Sequence, residues 1–433
     1  MNLVIVKLQP PVDRLSHSLV SQVASRIFQI LIVIGIGGWS ARYLGPTALG
    51  KLSYVASLVG ILSPIGSLGV KDSLTALLCD SSPLPGLVSS AFCIELLGTV
   101  LIGIAIVPFA VLARDPLVSI LFGLAIIANF FNSTEVLEVD LFNNHKGVAV
   151  ARVGFLQALA GALFALMALL THAPLVVFGA LPTMQSIVKA ILLFFNSSIH
   201  SAERWLSAAS LVAAKRLLSR GWPLVLSGFA ISIYMRSDQV MLQWLKGAAD
   251  VGQYSVAVRV AESLYFLPVI LSQTFAPRLG AMVAAEAIVQ NQRSTLKAFY
   301  RLAWILGLVM SLGTVAVLPP LLLLVFGDQY EPSVLALKYL APAGFAVAAG
   351  CASGAWLNVN GQVHHLAKRT AFGAICNIAL NFCLIPSFGI AGAAAATSCS
   401  QVLSVYAYGL IDSSTKSNII LLAAPFSPEI RSV

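Results

Sequence analysis

Long apolar runs alternate with short polar turns along almost the whole chain. Most runs hold about 20 residues or more, the length that a helix needs to cross the hydrocarbon core of a bilayer. This pattern predicts an all-α polytopic membrane protein with about twelve transmembrane helices. The predicted helices cover Leu19–Leu44, Leu49–Val70, Leu87–Leu112, Leu117–Leu141, Val148–Leu170, Leu175–Ile199, Gly221–Leu245, Val251–Val283, Ala298–Phe326, Val334–Asn360, Leu366–Pro386 and Ile390–Ile411.

Two of the polar turns resemble each other. The turn after the first predicted helix, LGPTALGKLSY, contains Gly45 and Gly50, and the turn after the seventh, LKGAADVGQYS, contains Gly247 and Gly252. The glycines of each pair are five positions apart, and the second pair repeats the first after 202 positions. The match indicates an internal repeat, although two unrelated glycine turns would give the same letters.

The repeat and the long polar connection near the middle of the chain predict two six-helix lobes, residues 1–210 and 211–433. Six is an even number, so both lobes have the same orientation in the membrane. They are therefore pseudo-symmetric about an axis along the membrane normal. Transporters built in this way bind their substrate between the lobes, so we expect a central cavity.

Composition supports the membrane assignment and gives an orientation. Of the 433 residues, 58% are hydrophobic and only 10% are charged, whereas soluble domains contain about 25% charged residues. The net charge of +9 does not indicate nucleic-acid binding, because the basic residues lie between the apolar runs. With a cytoplasmic N-terminus, about 17 of the 26 lysines and arginines fall inside and about five outside. This bias predicts a multi-pass protein with both termini cytoplasmic.

The sequence contains no arrangement typical of an enzyme or a metal centre. There is no P-loop, no convincing Ser/His/Asp set and no large extramembrane segment with paired carboxylates. The six cysteines lie in or beside apolar runs without a CxxC pair, and the six histidines are scattered. We therefore expect no enzymatic activity, no metal and no cofactor.

Four charged residues lie well inside the two apolar runs that flank the second glycine turn: Arg236, Asp238, Arg259 and Glu262. A charge near the bilayer centre costs at least about 3 kcal/mol unless it is paired or faces water. All four lie at a similar depth below the turn, which predicts that Asp238 pairs with Arg259 or Arg236. Arg259 is also expected to pair with Glu262, three residues further along the helix. Such a cluster either locks two helices together or lines a wet cavity as a switchable network.

The same two runs contain segments that are typical of a known family. These segments read MRSDQVML, GAADVGQYSVAVR and ESLYFLP, and others read ARYLGPTALGKLSYVASL, LLLLVFGDQYEPSVLALKYLAP and NIALNFCLIPSFGIAGAAAATSCSQVL. Together they resemble the polysaccharide transporter family, the O-antigen (Wzx-type) lipid-linked oligosaccharide flippases of the multidrug/oligosaccharidyl-lipid/polysaccharide exporter superfamily. The resemblance extends over nearly the whole chain. It implies a cationic central cavity that accepts a lipid pyrophosphate.

The intramembrane cations are the first candidates for substrate binding, because a diphosphate needs cationic partners and arginine binds phosphate through its planar fork. Arg26 and Arg236 are the leading candidates, followed by Lys189 and Arg259. Arg26 and Lys189 alternatively extend to the membrane interface with their charged ends.

Amides and carboxylates within the apolar runs form a second set of candidates. The amides Asn377, Asn381 and Gln401 either contact sugar or form hydrogen bonds between helices. The carboxylates Asp238, Glu262 and Glu95 are candidates for ion coupling or gating.

The function expected from these features is flipping of a lipid-linked oligosaccharide across the cytoplasmic membrane by alternating access. The expected partners are membrane lipid and the lipid-diphosphate-linked oligosaccharide, with a polysaccharide polymerase and a chain-length regulator as possible protein partners. An ion-coupled multidrug antiporter of the same superfamily is the alternative, but acidic residues would then dominate the cavity. A membrane-embedded polysaccharide polymerase is less favoured, because it would need a long outer loop with catalytic groups.

Overall fold

The structure is a computed structural model that describes residues 12–78, 86–113, 115–144, 146–197, 209–284, 289–412 and 415–426. Side chains are described from residue 35 onward, except those of residues 284, 289–293 and 417. Among the candidate site residues, the Arg26 side chain therefore lies outside the described part.

The first half of the chain folds into helices connected by short turns. A 3-10 turn, Ser133–Glu135, joins α4 to α5. The helices are α1 (Val12–Ser67), α2 (Val70–Leu78), α3 (Leu87–Leu112), α4 (Pro116–Asn132), α5 (Val136–Asn143), α6 (Gly147–Leu170), α7 (Leu175–Gly179) and α8 (Leu181–Asn196).

The second half is also helical, and no strand occurs in the described part of the chain. A π-helical turn, Leu403–Ala407, joins α15 to α16. The helices are α9 (Leu211–Leu245), α10 (Ala248–Glu262), α11 (Phe266–Ala284), α12 (Val289–Ala316), α13 (Leu318–Phe326), α14 (Glu331–Val359), α15 (Val363–Val402), α16 (Tyr408–Ile411) and α17 (Lys416–Ala423).

Nine helical segments among the described residues are long and apolar enough to cross a membrane. Two of them, Gly35–Leu78 and Val363–Ile411, are broken at Gly45 and Gly389, where the backbone angles are not helical. Counting both parts of each broken segment gives eleven spans. The more polar α9, 35 residues long, is the twelfth. An all-α protein with about twelve spans, as predicted, is confirmed.

Gly45 and Gly247 share an unusual backbone conformation. The φ and ψ angles are 74° and 168° at Gly45 and 99° and 178° at Gly247, a region that essentially only glycine occupies. The chain re-enters a helix directly after Gly45, because Pro46 is well tolerated in a first helical turn. The predicted loop between the first two helices is therefore a kink within α1. The matching angles support the internal repeat.

The two halves are joined at the end of the molecule that carries Gly45 and Gly247, here called the glycine end. The largest buried apolar cluster contains Ala41 and Tyr54 of α1 together with Tyr254 of α10. The hydroxyl of Tyr330, also in this cluster, donates to the carbonyl oxygen of Ala41 at 3.0 Å. The predicted boundary after residue 210 falls between α8 and α9.

Beyond the kink, α1 also packs along α9. The Ser57 hydroxyl donates to Oε1 of Gln239 at 2.6 Å. Farther from the glycine end, a Cβ placed on Gly69 would lie 2.4 Å from the carbonyl oxygen of Gly221. Small residues allow such close helix contacts in a membrane. This seam holds the halves together at several levels along the bundle.

The outer surface of the bundle is apolar. On α3, Leu97, Leu101, Ile104 and Val111 are exposed, as expected for a face in contact with lipid. The face that carries Gly98 packs closely on α1, because a Cβ on Gly98 would lie 1.7 Å from the carbonyl oxygen of Gly66. Lipid exposure and close packing by small residues therefore occur on opposite faces of one helix.

Candidate functional site

A cavity of about 760 Å³ lies among the helices of the first half, a size typical of small-molecule sites. Its walls come from α1, α4, α6, α7 and α8, and one residue of α10 reaches it from the second half. The two halves therefore contribute unequally to the cavity. Its polar and charged lining residues are Ser40, Ser63, Asn129, Asn132, Gln185, Ser186 and Arg259.

Arg259 is the single charged residue among the described residues that line this cavity. It lies about three turns into α10. Its sequence neighbours Val258, Val260 and Ala261 are buried, whereas Arg259 itself is exposed. Because other helices surround α10, the exposed side chain of Arg259 faces the cavity and not the outside of the protein. A guanidinium in this position can bind an anion that enters the cavity.

Polarity changes along the cavity. Asp115, just before α4, pairs with Lys51 near the glycine end of α1 at 2.5 Å. The α4 residues Asn129 and Asn132 therefore lie toward the opposite end. The lining near the glycine end is mostly apolar and includes Phe178, with Ser40 as a polar exception. A ligand in the cavity would meet amides at one end and hydrocarbon at the other.

An ion network adjoins the amide end of the cavity. Lys189, one turn beyond Ser186 on α8, contacts Glu135 at 2.7 Å and Glu138 at 3.0 Å. Lys71 of α2 pairs with the second carboxylate oxygen of Glu135. Lys189 therefore has two carboxylate partners and does not line the cavity. Neither the interfacial role nor the anion-binding role predicted for Lys189 describes this arrangement.

Glu95 of α3 lies near this network and is 3% exposed. Its Oε1 atom is buried without a hydrogen-bond partner. A buried carboxylate without hydrogen-bond partners is costly as an anion. The structure thus places Glu95 in the interior of the first half.

In the second half, Asp238 of α9 accepts hydrogen bonds instead of forming the predicted ion pair. Its Oδ2 atom accepts from the Tyr254 hydroxyl at 2.5 Å and from the Thr397 hydroxyl at 3.1 Å. Its Oδ1 atom accepts from the backbone N–H of Gln239 at 2.7 Å. Neutral donors on three helices surround this carboxylate, which is 3% exposed.

The predicted pairing of Arg259 with Glu262 is also not formed, and the described residues contain no direct ion pair of Arg236. The prediction was wrong because spacing along a helix fixes the depth of a side chain but not its direction. Arg236 is half-buried and does not line the large cavity. Glu262 and Asp238 instead line a second cavity of about 20 Å³, with room for about one water molecule.

Asn377 and Asn381 are fully buried in the second half and do not reach the large cavity. Oδ1 of Asn377 accepts from the Ser237 hydroxyl and from Nδ2 of Asn381, both at 2.9 Å. Nδ2 of Asn377 donates to the Ser400 hydroxyl at 3.2 Å. The bond from Ser237 joins α9 to α15, whereas the bond of Asn381 to Asn377 stays within α15. Sugar contact by these amides stays a prediction. Gln401, by contrast, lines the small cavity next to Asp238.

Two family models match the sequence. One, described as polysaccharide biosynthesis protein, matches residues 14–283, and the other, described as MatE, matches residues 223–383. The first match covers more than half of the chain. The chain belongs to the polysaccharide biosynthesis protein family. No sequence among the curated proteins matches it significantly.

Solved structures with low sequence identity share the fold of this polysaccharide biosynthesis protein family member. An inward-facing multidrug resistance MATE transporter of the MOP superfamily gives a TM-score of 0.70 at 16% identity, covering 92% of this chain and 96% of that chain. The outward-facing form of such a transporter gives 0.57 at 16% identity, covering 91% and 93%. The lipid II flippase MurJ, inward closed, gives 0.68 at 12% identity, covering 94% and 93%.

Several important residues of this family member were not singled out from the sequence. Asn129, Asn132 and Gln185 line the cavity, and a polar residue at an otherwise apolar helical position was the available signal. Arg369, near the start of the predicted helix Leu366–Pro386, is 9% exposed inside the second half. Its position next to Lys368 at the edge of an apolar run concealed this burial.

Proposed function

We propose that the protein is a flippase that moves a lipid-linked oligosaccharide from the cytoplasmic to the outer leaflet of the cytoplasmic membrane. The observation that carries the proposal is Arg259, a guanidinium from the second half exposed in a cavity of the first half. A phosphate bound there would contact both halves. The family description, polysaccharide biosynthesis protein, supports a substrate of this class.

The cavity solves the physical problem of moving a sugar through hydrocarbon. Each unpaired hydroxyl costs several kcal/mol in an apolar medium, about 4–8 kcal/mol when the free energy of transfer from water to cyclohexane is used. Amides and hydroxyls in the cavity replace water as partners while the lipid tail stays in the bilayer. The two halves then move as lobes, residues 1–210 and 211–433, and expose the cavity alternately to each side. The solved neighbour MurJ is named a lipid II flippase, which supports flipping of a lipid-linked substrate here.

The proposed orientation has the glycine end outside and both termini in the cytoplasm, and the distribution of basic residues supports it. Because the cell interior is negative, moving a diphosphate outward is favourable by about 2.3 kcal/mol per charge per 100 mV. The membrane potential therefore drives export of the headgroup. Contacts with a polymerase and a chain-length regulator stay predictions.

Coupling to an ion would act through the buried carboxylates. Asp238 and Glu262 line the small cavity, and Tyr254 donates a hydrogen bond to Asp238. Binding of a proton or small cation there would change the hydrogen bonds between α9, α10 and α15. Glu95 is the corresponding candidate in the first half.

The decisive experiment is transport in liposomes. Purified full-length protein is reconstituted with a fluorescent undecaprenyl diphosphate-linked sugar, and accessibility of the fluorophore to an impermeant reductant is followed over time. We expect Arg259→Ala to reduce the flipping rate at least about tenfold, since a hydrogen bond to a charged group contributes about 1.5–3 kcal/mol. Arg152→Ala is the control, because Arg152 is exposed on α6 and does not line the cavity.

Export of drugs is the second candidate, because the MatE model matches residues 223–383. The cavity argues against cationic drugs, since its described lining contains no carboxylate. The same liposomes loaded with a cationic dye separate the two functions. Dye export with no lipid flipping would overturn the flippase proposal, and equal flipping by the wild type and Arg259→Ala would remove Arg259 from the site.

A further inference from the structure

Three amide side chains, Asn129, Asn132 and Gln185, line the end of the cavity away from the glycine end; together they are called the amide face. We propose that the amide face binds an uncharged sugar of the headgroup, one that carries hydroxyl or N-acyl groups. The inference rests on the proposed function. It adds the chemical class of the sugar and the residues that recognise it.

The amide face has unused hydrogen-bonding capacity of both kinds. The Ser186 hydroxyl donates to Oδ1 of Asn132 at 2.8 Å, which leaves the amide N–H groups of Asn132 as donors. Nδ2 of Asn129 donates to the carbonyl oxygen of Ala125 at 3.0 Å, which leaves its Oδ1 atom as an acceptor. A sugar hydroxyl both donates and accepts, so it matches this alternation.

Gln185 forms no hydrogen bond with any described residue, although it lies at membrane depth on α8. An amide at this depth without protein partners must bind water or ligand, because leaving it unpaired in an apolar medium is costly. The facing helix leaves space for the Gln185 amide, because a Cβ on Gly161 of α6 would lie 1.9 Å from Nε2 of Gln185. Gly161 thus provides the space that the amide occupies.

The charge of the cavity selects against ionised sugars. Among the described lining residues, Arg259 is the one cation and carboxylates are absent. A uronate at the amide face would lose its hydration without gaining a counter-charge, and an ammonium sugar would have no carboxylate to bind. Lys189 is nearby, but Glu135 and Glu138 already neutralise it. The single cation therefore serves the phosphate, and the amides serve a neutral sugar.

Binding of soluble analogues to the purified full-length protein tests whether the amide face prefers a neutral sugar. The probes are geranyl diphosphate, geranyl-diphospho-N-acetylglucosamine and geranyl-diphospho-glucuronate, with affinities measured from tryptophan fluorescence. We expect the N-acetylglucosamine probe to bind at least about tenfold more tightly than geranyl diphosphate, and the glucuronate probe to show no such gain. A tenfold gain corresponds to about 1.4 kcal/mol, in the range of one or two hydrogen bonds.

Variants separate the sugar site from the phosphate site. Asn132→Leu and Gln185→Leu should abolish the gain for the neutral sugar without changing the affinity for geranyl diphosphate. Gly161→Ala should do the same by displacing the Gln185 amide, because the clash is with the end of a flexible side chain. Asn196→Leu, an exposed amide on the same helix, is the matched control.

The outcomes distinguish this inference from the proposed function. If geranyl diphosphate binds through Arg259 but the amide variants keep the sugar gain, the amide face is not the sugar site and the flippase proposal stands. Equal gains for the glucuronate and neutral probes would overturn the charge selection. If no probe binds, both the sugar site and the proposed function are wrong.

Discussion

Gly50 on α1 and Ala248 on α10 touch so closely that a Cβ on Gly50 would lie 1.7 Å from the Ala248 carbonyl oxygen. The contact is reciprocal, because a Cβ on Gly252 would lie 1.8 Å from the carbonyl oxygen of Pro46. The same 202-residue offset relates Gly50 to Gly252 and Pro46 to Ala248. The two repeated turns therefore close the glycine end symmetrically, and their backbones are in direct contact.

Gly50→Ala and Gly252→Ala should prevent this closure. Neither clash involves a side chain that can rotate away, because the opposing atoms are backbone. If the halves alternate as proposed, both variants will favour the state that is open at the glycine end. The check is labelling of a cysteine introduced at Ser40 by an impermeant maleimide from the outer side, which should become faster.

Gly60→Ala on the same helix is the control, because no atom lies within 4 Å of a Cβ at that position. Unchanged labelling in Gly50→Ala, with the protein still folded, would show that the turns do not act as a gate. A loss of folded protein in both variants would instead show that the contact is structural.

Tyr254→Phe should destabilise the second half. The change removes the hydroxyl that donates to Oδ2 of Asp238 at 2.5 Å and leaves a buried carboxylate with fewer donors. A loss of this kind costs about 1–3 kcal/mol, which thermal unfolding in detergent can measure. Tyr339→Phe, at a side chain that is 49% exposed, should change little. Equal melting temperatures for Tyr254→Phe and the wild type would contradict the hydrogen bond.

Arg369→Met should leave the melting temperature unchanged or raise it. The guanidinium is buried, its Nη2 atom donates to the carbonyl oxygen of Gly350 at 3.2 Å, and its Nη1 atom has no partner. Burying an ion costs several kcal/mol unless an opposite charge and good hydrogen bonds offset it, so an apolar side chain of similar volume removes a cost here. Arg301→Met should have the opposite effect, because Arg301 donates to Pro425 and lies over the Phe426 ring. A clearly lower melting temperature for Arg369→Met would contradict a net cost of the buried guanidinium.

Asp115 gives a prediction with a defined pH dependence. The hydrogen bond from Lys51 lowers the pKa of Asp115 below its usual value, so the ion pair stabilises the fold at neutral pH and is lost as pH falls through that lowered pKa. Asp115→Asn should cost at most about 1 kcal/mol at pH 7, because the pair is partly exposed. This difference should shrink as the pH falls and vanish once the pH is below the lowered pKa of Asp115.

Asp115 also caps α4, since its Oδ1 atom accepts from the backbone N–H of Leu117 at 2.9 Å. Asparagine keeps the cap and alanine loses it. Asp115→Ala should therefore stay less stable than the wild type even at a pH low enough to protonate Asp115, in contrast to Asp115→Asn. If both variants behave alike at low pH, the cap contributes nothing measurable.

The sequence was sufficient for the features that depend on local composition. Apolar runs of spanning length predicted the helices, because hydrocarbon accepts only backbone that satisfies its own hydrogen bonds. The glycine repeat at Gly45 and Gly247 predicted matched turns, because few other residues adopt their backbone angles. The same local information placed Arg259 at membrane depth, where a charge requires a wet surface.

The direction of each side chain was decided by the tertiary structure. Periodicity gives a residue its depth and face, but which neighbour that face meets depends on how distant helices pack. Thus Asp238 met the hydroxyls of Tyr254 and Thr397 instead of an arginine. For the same reason Asn377 joined an interhelical network while Asn132 reached the cavity. Sequence alone established a helical membrane protein with charged residues at membrane depth. Only the packing of residues far apart in the chain determined that Arg259 is the one, among those whose side chains the structure describes, that lines the cavity.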